Sequence, residues 1–162
     1  MRHSLLMRWT CLLISLLLFT LLPARAGHSA PKIFLRIHVQ TTGEGQSQLE
    51  TAEIMLPPNN EKILIRALPE ITEQELVNVQ ADAAGAVHLQ FNHQGQVALS
   101  TVTAENQGRI LVVIINGYVV FAPVIDEQIT NGELILPHQV NPQMVQLLQD
   151  VAQHNVREAA KT

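Results

Sequence analysis

The stretch Ile110-Leu-Val-Val-Ile-Ile115-Asn116-Gly117-Tyr118-Val-Val-Phe-Ala-Pro123-Val-Ile125 decides the fold. From Ile110 to Ile115 every side chain is aliphatic, with no polar face, which marks a central strand buried on both sides. Asn116-Gly117 follows. Both central positions of a type I′ turn need positive φ, and these two residue types tolerate it, so the chain is expected to reverse here as a hairpin with a two-residue turn. Tyr118 to Ile125 is then the returning strand. Pro123 has no N–H to give to a ladder, so this strand is expected at a sheet edge or to end there.

Alternation marks further strands on both sides of the hairpin. Ile33 to Thr41 places Ile33, Leu35, Ile37 and Val39 on one face and Phe34, Arg36, His38 and Gln40 on the other. Thr51–Leu56 and Lys62–Ala67 flank a Pro57-Pro58-Asn59-Asn60 turn and are expected to pair. Ala86–Asn92 alternates Val87, Leu89 and Phe91 against His88, Gln90 and Asn92. After the hairpin, Thr130-Asn131-Gly132 turns the chain into a short strand, Glu133–Leu136.

Two helices are expected among these strands. Thr72 and Glu75 form a capping box, with Ile71 and Leu76 at the staple positions, so a helix is expected to run on to about Ala83. Asn141 and Pro142 open a final helix with an apolar stripe of Met144, Leu147, Leu148 and Val151 and a polar end that should fray after Asn155. Gln96–Gln107 fits a strand through Val97, Leu99 and Thr101 and a helix through Val97, Thr101 and Ala104, with Gly108 suited to a helix C-cap. The fold class is α+β, a mostly antiparallel sheet with helices packed on one face.

Arg2 and Arg8, the apolar run Trp9–Leu22, Pro23 and then Ala24-Arg25-Ala26 have the form of a signal peptide, residues 1–26, cleaved after Ala26. As a helix the run would span roughly 21 Å, short of the roughly 30 Å hydrocarbon core, although an uncleaved anchor is the competing reading. Cys11 lies inside the run and not at the cleavage point, which excludes lipidation there. Residues 27–162 then form a single periplasmic or secreted domain with no cysteine, and hence no disulfide or thiolate site. No stable membrane insertion is expected once residues 1–26 are removed. Loss of Arg2, Arg8 and Arg25 leaves seven basic against 14 acidic side chains, a net charge of −7 with histidine neutral. With no basic cluster, such a surface disfavours nucleic acid and favours basic or extended polypeptides.

Catalytic patterns are not found. His28, His38, His88, His93, His138 and His154 show no ligand spacing; His38 and His88 would meet only on neighbouring strands, and both are expected to be solvated. Ser29, Ser47 and Ser100 lie outside any nucleophile elbow. Thr103, Glu105 and Asn106 are read as a helix end before Gly108, and Asp126-Glu127 as a solvated turn. No catalytic residue, cofactor or metal ligand is assigned. The positions singled out are structural: Gly108, Asn116, Gly117, Pro123 and Gly132.

The run Thr103-Ala-Glu-Asn106-Gln-Gly108-Arg109, the apolar strand, the turn ending in Gly117 and Ala122-Pro-Val-Ile125 together resemble the head subdomain of the first periplasmic domain of SecD. SecD is the accessory subunit of the bacterial protein-export translocase. Ile129, Gly132 and the closing helix fit the same pattern, so the likeness covers residues 86–154. Ile63–Val79 matches more weakly, and residues 33–85 are read as strands with one helix. The resemblance implies a helix over 97–107, protein partners in the cell envelope and a non-catalytic binding or accessory role. It departs from the family at Leu136-Pro137, where a glycine is usual, and over 96–102, which lacks the family's large aromatic. SecD's membrane helices, and with them its coupling to the proton gradient, have no counterpart. Two other classes stand beside this one: a structural or assembly component of the envelope using exposed strand edges, and an enzyme on an unfamiliar site.

Overall fold

The structure is a computed structural model and describes residues 32–43, 50–137 and 140–161. The expected signal peptide lies outside these residues, as do His28, Ser29, Ser47 and His138. In chain order the elements are β1 (Leu35–Val39), β2 (Thr51–Leu56), β3 (Glu61–Arg66), β4 (Ile71–Thr72), a 3₁₀ turn (Glu73–Glu75), β5 (Leu76–Ala81), β6 (Val87–Phe91), α1 (His93–Glu105), β7 (Leu111–Ile115), β8 (Tyr118–Phe121), β9 (Glu133–Leu136) and α2 (Pro142–Ala159). Every strand pairing is antiparallel. The α+β class therefore holds, with the strands distributed over three sheets ordered β4-β1-β7-β8, β2-β3 and β5-β6-β9.

The aliphatic run behaves as its composition requires. β7 lies between β1 and β8, and Leu111, Val112, Val113 and Ile115 are each at most 1% exposed. Asn116 (φ 49°) and Gly117 (φ 84°) make the turn that sets Ile115 opposite Tyr118. The Phe34 N–H donates to Asn116 Oδ1 at 2.9 Å, which ties the turn to β1. β8 is an edge strand, and its regular pairing ends at Phe121 after a bulge. The chain stays alongside β7 because the Pro123 carbonyl accepts from the Leu111 N–H at 2.9 Å and Val124 bridges Ile110. Pro123 thus contributes an acceptor where it has no donor.

The two faces of β1 and β7 serve two cores. Leu35, Ile37, Val39, Leu111, Val113 and Ile115 point into the main core, shared with β5, β6, β9 and both helices. On the opposite face the β2–β3 hairpin lays Leu56, Ile63 and Ile65 over Val112. That cover corrects the expectation of a solvated His38. It is 5% exposed, its Nδ1–H donates to the Arg66 carbonyl at 2.8 Å, and burial pushes its pKa down, which favours the neutral ring.

The helix expected from Thr72 to Ala83 does not form. Its capping box does: the Thr72 N–H donates to Glu75 Oε2 at 2.8 Å, and the Thr72 hydroxyl accepts from the Gln74 N–H at 3.3 Å. Only one 3₁₀ turn follows, because Leu76–Ala81 pairs along β6, with Val79 opposite Leu89 and Ala81 opposite Val87. A ladder of five register pairs, interrupted only between Leu76 and Asn78, that also buries Leu76 and Val79 outweighs the local cap. The ambiguous segment is helical, as the resemblance implies, and starts earlier than 97 because Asn92 Oδ1 caps it by accepting from the Gly95 N–H at 2.9 Å. In α2, Asn141 and Pro142 open the helix as expected. It runs to Ala159, and within it the Asn155 amide donates to the Glu73 and Leu76 carbonyls at 2.7 and 2.8 Å, tying the helix to the 3₁₀ turn and the start of β5.

Candidate functional site

Two sheets end at edges that face one cleft. β8 closes the four-stranded sheet and β9 the three-stranded sheet, and the chain from Phe121 to Glu133 joins them. The cleft between has a volume of about 590 Å³ and is lined by Phe121, Pro123 and Val124 on one side and Leu134 and Ile135 on the other. Val124 and Ile135 are 59% and 49% exposed, so the walls present apolar surface to solvent. Its charged lining residues are Asp126, Glu127 and Glu133, three carboxylates with no Lys, Arg or His among them. Asp126-Glu127, read from the sequence as a solvated turn, stands at this cleft.

The connecting loop is held by one row of side chains on α1. Gln96, Ser100 and Thr103 are spaced four and three residues apart and so share a helix face. The Gln96 amide donates to the Thr130 carbonyl at 2.7 Å, and the Gln128 amide donates to Ser100 Oγ at 2.8 Å. The Ile129 N–H donates to Thr103 Oγ1 at 2.9 Å, and that hydroxyl donates in turn to the Leu99 carbonyl at 2.7 Å. The loop is therefore preformed, and a ligand need not order it. Replacing Thr103 with Val keeps the shape and leaves the Ile129 N–H without its acceptor. An expected loss of about 1–2 kcal/mol in denaturant unfolding checks this anchor.

Asn106 ends the same helix. Its amide donates to the Val102 carbonyl at 2.8 Å, and its oxygen accepts from Arg109 at 3.2 Å. The helix-end reading of Thr103 and Asn106 is therefore right, but it missed the loop anchor. The signal was in the sequence, as polar residues at 96, 100 and 103 beside the apolar Leu99 and Val102.

His38 and His88 do not meet, since β1 and β6 belong to different sheets. His88 instead stands between two carboxylates. Its Nδ1 is 2.6 Å from Glu133 Oε1 on β9, and its Nε2 is 3.6 Å from Asp82 Oδ2 in the β5–β6 turn. The Glu133 hydrogen bond, aided by Asp82, raises the His88 pKa above the usual histidine value. The Ala86 N–H, with that of Ala84 and His88 itself, lowers that of Asp82. Carboxylates on opposite ring nitrogens do not converge on one point, and among the described residues no group of three or more His, Cys, Asp or Glu is placed to hold a metal ion.

Fold and site together define a class: an α+β domain with a preformed cleft, apolar in its walls and acidic in its charged lining, between two strand edges. The family model of the SecDF P1 head subdomain matches residues 47–151, and the chain belongs to that family. The match extends the likeness read over 86–154 toward the N-terminus. A solved structure described as a membrane component SecDF that enhances protein export aligns with a TM-score of 0.55 at 19% identity, covering 76% of this chain and 63% of that one. SecDF in a super-membrane-facing form gives the same TM-score and identity, over 76% of this chain and 19% of that one. At this identity the likeness shows the fold, and the chain spans less than two thirds of either relative. No curated protein matches it in sequence. Among the described residues no helix is long and apolar enough to cross a membrane.

Proposed function

We propose that this chain is a non-catalytic binding module of the periplasm that holds extended polypeptide segments of exported or envelope proteins in the cleft between β8 and β9. In this reading residues 1–26 are its signal peptide and residues 27–162 its working domain. The observation that carries it is the apolar-walled cleft lined by the end of β8 with the chain that follows it and by the edge strand β9. An extended chain can add main-chain hydrogen bonds to such an edge while its alternate side chains enter the cleft. The carboxylates favour basic segments by charge. Membership of a family whose solved relative enhances protein export supports the same role.

The test is photo-crosslinking in cells. A crosslinking side chain at Val124 or Ile135 should capture polypeptides, whereas one at Leu68, 82% exposed on the β3–β4 connection, should not. Ile135→Asp should lower capture about tenfold, the effect of losing roughly 1.4 kcal/mol of contact. Equal capture at Leu68 and in the cleft would refute the proposal. The same two edges favour a second reading, self-assembly into an envelope structure, and oligomers that grow with concentration in sedimentation would select it.

A further inference from the structure

We propose that polypeptide binding in the cleft is linked to a proton on His88: a Lys or Arg of the bound segment takes Glu133 from the histidine, and the ring releases its proton to solvent. The proposal rests on the cleft being a polypeptide site. Glu133 is the residue that belongs to both places. It lines the cleft, and its Oε1 meets His88 Nδ1 at 2.6 Å. The two side chains are 31% and 32% exposed, so an incoming ammonium or guanidinium group can reach the carboxylate.

The surroundings of the ring are simple. On β5 the polar neighbours are Asn78 and Gln80, both neutral, with Asp82 in the turn that follows. On β9 the neighbours are Glu133 and Ile135, which pairs with His88 in register. Gln90 stands beside it on β6 itself. Among the described residues the charged groups facing the ring are thus the two carboxylates. The other side of this sheet is the apolar core of Val79, Val87, Leu89 and Leu134. Asp82 Oδ1 is already engaged by the N–H groups of Ala84 and Ala86 at 2.9 and 2.8 Å, so Asp82 stays in place whatever happens at Glu133.

The sign follows from charge. With His88 protonated, the trio His88, Asp82 and Glu133 carries −1, and Glu133 already has a cationic partner. With His88 neutral it carries −2, and Glu133 is available to a second cation. An incoming Lys therefore competes with the imidazolium at low pH and not at high pH. Binding of a basic segment should tighten as the pH rises through the raised pKa of His88. Asp126 and Glu127 also line the cleft but are not among the residues around His88.

The probe is a ten-residue extended peptide of alternating Val and Thr with one central Lys, and the same peptide with Gln in its place. Binding to the chain lacking residues 1–26 is read by fluorescence anisotropy at about pH 5.5 and about pH 8, on either side of the histidine range. The Lys peptide should bind about three- to fivefold tighter at the higher pH, the scale of a partly exposed ion pair, and the Gln peptide equally at both. His88→Gln should abolish the difference. Asp82→Asn, which can still accept the turn hydrogen bonds, should move the midpoint to lower pH. NMR titration of the His88 ring should show its pKa falling when the Lys peptide is added. A Lys-peptide affinity that is the same at both pH values, or a pH dependence that survives in His88→Gln, overturns the linkage while the cleft stands. If neither peptide binds at any pH, the cleft reading fails and the linkage falls with it.

Discussion

Leu89→Ala is expected to destabilise the domain by about 2–5 kcal/mol, a large share of the roughly 5–15 kcal/mol that holds such a fold. Leu89 sits at the centre of β6, the middle strand of the three-stranded sheet, opposite Val79 on one side and Leu134 on the other. It is fully buried, and the main core it belongs to joins both helices and the inner face of β1 and β7. Truncation removes the transfer energy of the lost carbons and leaves a cavity that a β-sheet cannot easily close. The measurement is the denaturant midpoint at an unchanged slope. Ile135 lies on the outer face of the same sheet, half exposed, and Ile135→Ala should cost well under 1 kcal/mol by the same measure. A loss at Leu89 as small as that at Ile135 would mean that the inner face is not packed as described.

The sheet hairpin was legible from the sequence because burial and turn chemistry agreed there. An all-aliphatic run has one home in a domain of this size, and Asn116-Gly117 admits one tight turn. The alternation from Ile33 to Val39 was legible for the same reason, and all four residues of its inner face are buried. Where local and tertiary signals disagreed, the local signal misled. Thr72 and Glu75 form their capping box, yet Leu76-Val-Asn-Val-Gln-Ala is taken by a strand because β6 offers it a ladder that no local rule can see. His38 reads as solvated on a polar face until the β2–β3 hairpin folds over it, a contact between segments 28 residues apart. The candidate cleft was the least legible part. Its carboxylates, Asp126, Glu127 and Glu133, are ordinary loop and strand-end residues until two separate sheets bring their edges together, and no spacing in the chain announces that meeting.

Gly132→Val is expected to cost about 2–6 kcal/mol and to weaken peptide binding as well, because two penalties fall on the segment that shapes the cleft. Gly132 has φ 70°, a conformation that a β-branched residue resists. A Cβ placed there would also lie 2.9 Å from Cβ and 3.0 Å from Cγ of Gln96. Those atoms are close to the α1 backbone and cannot swing aside as a chain end would. Displacing Gln96 pulls its amide from the Thr130 carbonyl, and the Gly132 carbonyl itself accepts from the Phe91 N–H at 3.0 Å, where β6 ends. Gly117 separates the two penalties. Its φ is 84°, but an added Cβ there would meet nothing within 4 Å, so Gly117→Val carries backbone strain alone, about 1–3 kcal/mol. It stands at the far end of the β7–β8 hairpin and is not among the residues lining the cleft. Denaturant unfolding and peptide anisotropy on both variants should therefore give two different pairs of results. Gly117→Val loses stability and keeps its affinity, whereas Gly132→Val loses more stability and its affinity with it. Equal losses of both quantities in the two variants would mean that the loop from Asp126 to Gly132 does not depend on α1, and that the cleft is not preformed.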